Sequence, residues 1–416
     1  MIHSSAALCC SYDDVWLLDG VRTPFADYNT ALGLVSPTDL GIKVAREIFQ
    51  RSGVSPQDVS LVVAGNMAQA SFDSYVLPRH IGLYSGVPVG VPAHMVQRVC
   101  GTGIEAILTA ADAVQLGKGQ LGLVVGTESM SRNPVAAYTH RGGFRMGQVE
   151  FKDFLWEALL DTCPNETMGG SSEKLGCQYK ISREDVDRFA AESFSRAVAA
   201  QKSCFLSGET AAVTNEVFEL PGYQPRRLQL SRGVDKLEYD THIRSSPYEV
   251  LAKLKPAFGG VQTGGNSSGI VDGAAAALVA SGQHAKKATK PPLARLLAGA
   301  VVGVPPEIMG IGPVPAIRAL LEFSGLNLVQ IDRFEINEAF AVQVLSCQRE
   351  LGLDLAKLNV NGGAIAIGHP LGATGVRLAV TLARELKRSG GRYGVASACI
   401  GGGQGIALLL ENRENN

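Results

Sequence analysis

Two cysteines and a histidine stand beside glycines in this sequence, in settings that suit nucleophilic chemistry. Cys100 precedes Gly-Thr-Gly and the start of a predicted helix. A thiol at a helix N-terminus feels the positive end of the helix dipole, so we expect a lowered pKa and an available thiolate. On this motif alone, a small buried thiol at a strand end fits equally well. The run Gly101-x-Gly103-x-x-Ala106 also fits a dinucleotide fingerprint loosely, but no acidic residue is clearly placed at the required distance after it.

His369 lies in a segment of small residues, 361–375, and is followed by Pro370 at a predicted helix start. The small neighbours leave the imidazole room to face a cavity. An imidazole near a thiol is the usual activating base, although a lone histidine is more often structural. The segment therefore marks His369 as a candidate base whose role depends on what lies beside it.

Cys399 ends an apolar run and precedes Ile400 and three glycines, 401–403. Backbone N–H groups after such a strand can bind an anion, and a thiol of near-neutral pKa can exchange a proton with carbon. For Cys399 alone, a buried cysteine before a turn is the simpler interpretation. Asn337 closes another predicted strand, where its amide either orients a water or an oxyanion, or caps a helix that starts at Glu338.

Five apolar runs, most of them bordered by glycines, predict the strands that position these residues. The runs are 61–64, 121–125, 271–280, 393–398 and 406–410, and the helix-length segments between them are 38–52, 103–116, 315–324 and 374–388. Runs without polar alternation are typical of strands buried on both faces in layered α/β proteins. We therefore predict a layered α/β fold.

The same order of elements occurs twice along the chain. A helix, a glycine and a strand lead to Asn66 in the first part and to Asn337 in the second. Cys100 and His369 each open a helix that leads to a further strand. We therefore predict two halves of similar βαβ design, with coincidence as the alternative.

Composition excludes several classes of protein. The chain has 416 residues, of which 46% are apolar and 48 are glycines, so it can bury a large core and is not mainly disordered. Its 38 basic and 39 acidic residues leave a formal net charge of −1 without a basic stripe, which argues against nucleic-acid binding. No run of 18 apolar residues occurs, so no membrane span is expected.

The eight cysteines form no CxxC pair, and no His, Cys, Asp or Glu cluster has metal-ligand spacing. We therefore expect neither a disulfide framework nor a bound metal. A low cysteine density without a secretory signal favours a reducing compartment, with the cytoplasm as the default localisation.

Taken in order, the motifs of this sequence resemble those of the thiolase family. They include Val99-Cys100-Gly101-Thr102-Gly103, Glu128-Ser129-Met130-Ser131, Gly265-Asn266-Ser267-Ser268-Gly269, Asn337-Glu338-Ala339-Phe340, Gly368-His369-Pro370-Leu371-Gly372 and Cys399-Ile400-Gly401-Gly402-Gly403. The resemblance runs from about residue 15 to residue 410. Each motif alone can occur by chance, whereas all of them in this order indicate membership of the family.

The resemblance implies an α/β thiolase fold, with duplicated βαβ halves in a five-layer α/β/α/β/α body and an inserted loop domain. The implied domains are 13–129 together with 264–287 as the N-terminal half, 130–263 as the loop domain for coenzyme A binding and oligomer contacts, and 288–411 as the C-terminal half. The family forms dimers or tetramers, so a homodimer or homotetramer is expected.

The resemblance also implies the chemistry of the catalytic residues. Cys100 is the nucleophile that takes the acyl group from a thioester, and His369 accepts its proton. Cys399 moves the α-proton of acetyl-CoA. One oxyanion site is a water held by Asn337 together with His369, and the other consists of the backbone N–H groups of Cys100 and Gly401. A covalent acyl-enzyme predicts ping-pong kinetics.

Coenzyme A and acyl-CoA are implied as small-molecule substrates, with no tightly bound cofactor. The matching positions near the pantetheine arm are Met168, Phe258, Gly265, Ser268, Ala339 and Phe340, and Arg244 is matched to the nucleotide phosphates. Two positions depart from the family pattern. Thr167 stands where members that make acetoacetyl-CoA often have histidine, and Val250 stands where a serine often meets the adenine.

The implied function is reversible Claisen condensation and thiolytic cleavage of 3-ketoacyl-CoA. The Cys399 motif favours an acetyl-CoA acetyltransferase, and a degradative thiolase for longer chains is the alternative. A ketoacyl synthase of the same fold normally lacks a second catalytic cysteine, so Cys399 discriminates against it. A non-catalytic lipid- or CoA-binding module would tolerate the loss of Cys100.

Overall fold

The structure is a computed structural model that describes residues 7–138, 140–147 and 149–413. Its strands are β1 Leu8–Arg22, β2 Ala26–Asp27, β3 Leu61–Gly65, β4 Ala93–Val96, β5 Leu121–Glu128, β6 Val135–Ala136, β7 Lys152–Asp153, β8 Leu160–Asp161, β9 Glu166–Thr167, β10 Val213–Thr214, β11 Glu216–Phe218, β12 Arg226–Leu228, β13 Lys236–Leu237, β14 Val271–Ser281, β15 Ala294–Gly303, β16 Arg333–Ile336, β17 Tyr393–Ile400 and β18 Gln404–Glu411.

The helices carry the labels α1 to α12 in chain order. They are α1 Pro37–Ser52, α2 Leu77–Tyr84, α3 Thr102–Gln115, α4 Phe154–Glu157, α5 Met168–Tyr179, α6 Arg183–Lys202, α7 Tyr248–Leu251, α8 Gly282–Ala285, α9 Pro313–Ser324, α10 Ala341–Leu351, α11 Ala364–Ile367 and α12 Leu371–Ser389. Each of the five predicted strands and four predicted helices corresponds to one of these elements, within a few residues at each end.

One large mixed sheet runs through the molecule in the order β16-β17-β18-β15-β1-β14-β5-β3-β4, with β2 added to β14. The long strand β1 joins its two parts. Leu8 to Ser11 pair with β15, and Val15 to Arg22 pair with β14. The sequence runs did not predict β1 or β15, because polar residues such as Asp13 and Asp14 interrupt the apolar pattern of β1.

Helices cover both outer faces of this sheet and fill the space between its two parts. α1 and α2 pack outside β3, β5 and β14, and α9 packs outside β15, β17 and β18. α3 and α12 lie between the two parts of the sheet and share the largest apolar core with both. The five-layer α/β/α/β/α body is therefore confirmed.

The two halves also share a strand order. The first half runs β4-β3-β5-β14-β1. The second runs β16-β17-β18-β15, and Leu358 forms a parallel bridge to Phe334 at the position that β4 takes in the first half. α3 precedes β5, just as α12 precedes β17. The duplicated βαβ design is confirmed by this match, whereas the exact domain boundaries stay a prediction.

The two central helices cross at glycines near their N-termini. A Cβ atom on Gly103 would lie 2.5 Å from the backbone nitrogen of Val376, and a Cβ on Gly375 would lie 2.2 Å from that of Ile104. Side chains at either position would push the helices apart. The crossing brings the segments that precede α3 and α12, with Cys100 and His369, to the same end of the body.

Residues 130–263 add the helices α4 to α7 and several two-stranded sheets beside the body. β6 pairs with β7, β8 with β9, β10 with β13, and β11 with β12. The predicted helix at 182–203 is α6, whose cap Ser182 forms a capping box with Asp185. Among the described residues, no helix is long and apolar enough to cross a membrane.

Candidate active site

Cys100 lies in a short 3₁₀ turn, Val99–Gly101, directly before α3. Val99 adopts a φ of +42°, which is strained for a β-branched residue. Thr102 holds this turn, because its hydroxyl donates to Val99 O at 2.6 Å and accepts from Arg98 N at 2.9 Å. Strained backbone that is fixed in this way is a common feature of active sites.

The protonation state of Cys100 differs from the sequence-based expectation. Burial raises the pKa of the Cys100 thiol to about 11, although the backbone N–H groups of Gly401 and of Cys100 itself act to lower it. The nearby Glu128 carboxylate raises it further. The expected lowering of the thiol pKa is therefore wrong for the unliganded protein, because desolvation outweighs the helix N-terminus.

His369 is buried between α11 and α12 and has a defined tautomer. Its Nδ1 lies 2.6 Å from Thr374 Oγ1, and the Thr374 hydroxyl donates to Pro370 O at 3.1 Å. Because that hydroxyl proton is already engaged, Nδ1 carries the imidazole proton and donates it to Thr374. Nε2 is therefore the basic atom, and it accepts from Asn337 Nδ2 at 3.2 Å.

The electrostatic environment keeps His369 neutral. Burial lowers the pKa of the His369 imidazole to about 3, and the positive charge of Arg377 lowers it as well. A neutral imidazole with an unprotonated Nε2 can accept a proton at that atom. The resting site thus combines a neutral thiol with a neutral base.

Thr374→Val is expected to reduce kcat about ten- to hundred-fold with little change in KM. Loss of the Nδ1 acceptor leaves a buried imidazole N–H unpaired, which costs about 1–3 kcal/mol and frees the ring to change tautomer. Thr381→Val is the matched control. It removes a buried hydroxyl of the same helix, bonded to Glu209 at 2.9 Å, and is expected to change stability but not kcat. Equal kcat in both variants would contradict a positioning role for Thr374.

His369 is also expected to make folding stability fall as the pH drops below about 6.5. Its folded-state pKa is near 3, whereas its ordinary value is 6.5. Between these values the unfolded state binds one more proton, so each pH unit costs about 1.4 kcal/mol. His369→Asn is expected to remove this part of the slope in denaturant unfolding at about pH 7, 6 and 5. An unchanged slope in His369→Asn would count against a buried neutral His369.

Asn337 and Cys399 close neighbouring strands beside His369. The Asn337 backbone N–H donates to Ser397 O at 2.9 Å, and its side-chain Oδ1 is buried without a partner among the described residues. α10 begins at Ala341, so the alternative that Asn337 caps a helix starting at Glu338 is wrong. An unpaired buried amide oxygen suits a site that receives a water or a substrate group.

Cys399 is a buried thiol at the end of β17. Burial raises the pKa of Cys399, and the neighbouring thiols of Cys100 and Cys347 raise it further. It packs in one cluster with Met309 and Ala339. Cys399 thus lies within electrostatic range of Cys100, as a neutral thiol that can give up a proton only to a strong base.

A cavity of about 440 Å³ leads to His369. Four of the residues predicted to contact coenzyme A line it: Met168, Phe258, Ser268 and Phe340. Its other walls include Met130, Trp156, Leu159, Thr167, His242, Thr263, Ile270 and Leu371.

Three of the predicted coenzyme A contacts are not in the described wall of this cavity. Ala339 lies behind it and accepts the Ser268 backbone N–H at 3.0 Å, and Gly265 is buried beside Ser268 in sequence. Arg244 is exposed, with its guanidinium 5.0 Å from the Phe194 ring.

A second cavity of about 230 Å³ surrounds Cys100. Gly401 and Gly402 form one wall, and the β8–β9 hairpin supplies another. This cavity shares Leu159, Met168 and Leu371 with the first one, so these three side chains lie between Cys100 and the entrance near His369.

Glu128 is a central residue of the site that sequence reasoning quoted in a motif but gave no role. Its carboxylate accepts from Asn66 Nδ2, from Met67 N and from Gly372 N at 2.9–3.0 Å. It therefore ties together the ends of β3 and β5 and the start of α12. Burial raises the pKa of Glu128 to about 7, although these N–H donors act to lower it. The available signal was an acidic residue three positions after the apolar run 121–125.

Sequence reasoning also did not identify Thr374 and Leu371 as residues of the site. Thr374 follows His369 by five residues, which places it on the first turn of α12, where a hydroxyl can reach back to the ring.

Among the described residues, no group of three or more His, Cys, Asp or Glu side chains can hold a metal ion. All eight cysteines are described and unpaired.

Comparison with known families and proteins gives a consistent result. The model of the thiolase N-terminal domain matches residues 15–283, and that of the thiolase C-terminal domain matches residues 290–412. The mitochondrial 3-ketoacyl-CoA thiolase of Homo sapiens is 40% identical over 402 residues, which cover 96% of this chain and 98% of that protein.

Two further similarities bear on the type of enzyme. The cytosolic acetyl-CoA acetyltransferase of Rattus norvegicus is 37% identical over 405 residues, which cover 96% of this chain and 98% of that protein. The crystal structure of human mitochondrial 3-ketoacyl-CoA thiolase in complex with CoA superposes with a TM-score of 0.90 at 39% identity, over 96% of this chain and 98% of that one.

Proposed function

We propose a reaction path and a substrate class on the premise that this chain belongs to the thiolase family. It is an acyltransferase that cleaves 3-ketoacyl-CoA with coenzyme A, or condenses acyl-CoA with acetyl-CoA in the reverse direction. We propose two things beyond this: a reaction path that uses Cys100, His369 and Cys399, and the length of the acyl chain.

One observation carries the reaction path. Two neighbouring cavities share the Met168 and Leu371 side chains: His369, with its unprotonated Nε2, lines the first, and the Cys100 thiol lines the second. The Cys399 thiol lies in a buried cluster against which Met168 also packs. A nucleophile, a base and a carbon acid are the three groups that thiolysis needs.

The first half-reaction forms an acyl-enzyme. His369 Nε2 takes the Cys100 proton as Sγ attacks the 3-keto carbon, and the N–H groups of Cys100 and Gly401 stabilise the tetrahedral oxyanion. The bond between C2 and C3 then breaks. The electron pair leaves as the acetyl-CoA enolate, which the His369 imidazolium and a water held by Asn337 stabilise, and Cys399 protonates its carbon.

The second half-reaction restores both thiols. The Cys399 thiolate accepts the proton of coenzyme A as the coenzyme's sulfur attacks the acyl carbonyl. Cys100 leaves as a thiolate and recovers its proton from His369. The products are acetyl-CoA and an acyl-CoA that is two carbons shorter, and no proton or electron is left over.

The size of the cavity at Cys100 favours acyl chains longer than acetyl. Its volume is about 230 Å³, and its walls include Met67, Val99, Ala158, Leu160 and Leu371. A buried apolar cavity of about 150 Å³ holds a six-carbon ring. We therefore propose that 3-ketoacyl-CoA substrates with several carbons beyond acetoacetyl-CoA are cleaved, which supports the longer-chain alternative over an enzyme restricted to acetoacetyl-CoA.

A chain-length series tests this substrate class. Thiolysis is followed by the loss of 3-ketoacyl absorbance with acetoacetyl-CoA and with progressively longer unbranched substrates. The longer substrates are expected to have kcat/KM values at least equal to that of acetoacetyl-CoA. Activity confined to acetoacetyl-CoA would refute the proposed chain length but leave the reaction path standing.

Ala158→Leu narrows the cavity and sharpens the test. It is expected to lower kcat/KM for the longer substrates about ten-fold or more and to spare acetoacetyl-CoA, because overpacking of this kind costs about 1–3 kcal/mol. Ala319→Leu, at a half-buried position on α9, is the matched control and is expected to leave the series unchanged.

We also propose that the protein forms a homo-oligomer. In the described residues β4 pairs only with β3, so its other edge is open, and open edges of large sheets favour pairing with another chain. A homodimer or homotetramer is tested by light scattering.

The names of the relatives include both a mitochondrial and a cytosolic enzyme, so the cytoplasmic localisation of this chain stays a prediction.

A further inference from the structure

A third cavity lies far from the reacting groups, towards the other end of α12. It has a volume of about 360 Å³ and is lined by β1, by the end of α1, by the segment between β14 and β15, and by α12. Arg384, which contributes to its wall, lies between three and four turns after the start of α12, or about 20 Å along the helix. The proposed reaction path makes no use of this cavity.

Three cationic side chains line this cavity: Arg51, Lys290 and Arg384. None of them forms an ion pair with a carboxylate in the part of the chain that the structure describes. Arg51 instead donates to the carbonyls of Gly208 at 2.7 Å and Thr210 at 2.9 Å, and the Lys290 ammonium donates to the carbonyl of Arg51. The Arg384 Nε is buried without a partner among the described residues. Their positive charges are therefore not neutralised by direct ion pairs in the part of the chain that the structure describes.

Asp19 is the acidic residue in the described lining, and it does not cancel this charge. Its carboxylate accepts from the Gly20 backbone N–H at 2.8 Å. Burial raises the pKa of Asp19, while that N–H group and the three cations lower it. With Asp19 ionised, the formal charge of the cavity is still positive, which attracts an anion with more than one negative charge.

Most of the remaining wall of the cavity is apolar, with Ser52 as a polar exception. Leu18, Val54 and Leu293 are among the side chains that form it. A water occupies about 30 Å³ in the liquid, so the cavity has room for about ten waters, more than a single phosphate group fills. The site therefore offers space for an organic group next to the cations.

We propose that this cavity binds a small organic phosphate. The planar guanidinium group of Arg384 suits phosphate oxygens, and Lys290 adds a compact point charge. Arg51, whose two terminal nitrogens already donate to backbone carbonyls, adds positive charge to the cavity. The apolar wall holds the organic part. The ligand class follows from the charge, the volume and the two kinds of wall, independently of the reaction at Cys100.

Calorimetric titration of the full chain with phenyl phosphate, inorganic phosphate and phenol tests this proposal in the absence of coenzyme A. Phenyl phosphate is expected to bind at one site, inorganic phosphate more weakly, and phenol not measurably. Lys290→Gln and Arg384→Gln are each expected to weaken phenyl phosphate binding about ten-fold or more. Asp19→Asn is expected to strengthen it, since a repelling charge is removed.

Lys236→Gln is the matched control for Lys290→Gln, because Lys236 is an exposed lysine outside the cavity. It should leave binding unchanged, and thermal melting confirms that each variant is folded. Absence of saturable phenyl phosphate binding would overturn the proposal, as would equal affinity in wild type and Lys290→Gln. Inorganic phosphate binding as tightly as phenyl phosphate would overturn the role of the apolar wall. None of these readouts depends on thiolase activity.

Discussion

Replacement of Cys100 by alanine is expected to abolish thiolysis, with a loss of about 10⁵-fold or more in kcat, as is typical when a covalent nucleophile is removed. The thiol is the only group in the described wall of its cavity that can form a thioester with the acyl chain. Alanine fills nearly the same space, so substrate binding and the fold are expected to persist. Thiolysis rates and intact-protein mass spectrometry after incubation with acetyl-CoA measure the effect.

The mass measurement separates loss of the nucleophile from general damage. The wild-type chain is expected to gain the mass of one acetyl group, and Cys100→Ala none. Cys347→Ala is the matched control, because Cys347 is also a fully buried thiol whose pKa burial raises, to about 12. It is expected to acquire the acetyl group and to remain active. Thiolysis that survives Cys100→Ala would rule out the proposed acyl-enzyme.

The sequence predicted the strands that are buried on both faces, because continuous apolar runs have few other interpretations in a layered fold. It did not predict β1 and β15, which join the two halves into one sheet. Four of the 15 residues of β1 are exposed, and two of these, Asp13 and Asp14, interrupt its apolar pattern. The pairing of these strands depends on a partner almost 300 residues away, which no local pattern reveals.

The candidate site was predicted in its residue types but not in its protonation. Glycine-flanked Cys100, His369 and Cys399 were recognisable because small neighbours leave space for a ligand. The direction of the Cys100 pKa was wrong, since desolvation depends on everything packed around a thiol and the helix dipole depends only on local sequence. Glu128 escaped notice for the same reason, because its bonds reach Asn66 and Gly372 from distant segments.

These pKa directions change how the proposed reaction starts. Both thiols rest protonated, and His369 rests neutral, so the site holds no thiolate–imidazolium pair before substrate binds. Charge separation then occurs only when a substrate carbonyl is present to take the electron pair of Cys100. A site that keeps its thiol neutral is also less exposed to oxidation, which requires the thiolate.

Replacement of Cys399 by alanine is expected to block carbon–proton transfer while leaving acyl transfer to Cys100 intact. General acid–base groups contribute about 10²–10⁴-fold, so condensation and thiolysis should fall by about 10³-fold. Exchange of the α-protons of acetyl-CoA in deuterated water isolates the step, since it needs no acyl acceptor. The wild type is expected to exchange them, and Cys399→Ala to do so at the rate of buffer alone.

The acetyl-enzyme supplies the internal control for Cys399. Because Cys100 and His369 are unchanged, Cys399→Ala is expected to gain one acetyl group from acetyl-CoA, as the wild type does. Cys347→Ala, which removes a buried thiol near Cys399 that is in the described lining of neither cavity, should retain both exchange and acetylation. Undiminished exchange in Cys399→Ala would assign the carbon acid to another group, with His369 the nearest candidate, whereas loss of acetylation would show that Cys399 instead supports the nucleophile. The two readouts therefore measure proton transfer to carbon and thioester formation separately, although both steps take place beside the same residues.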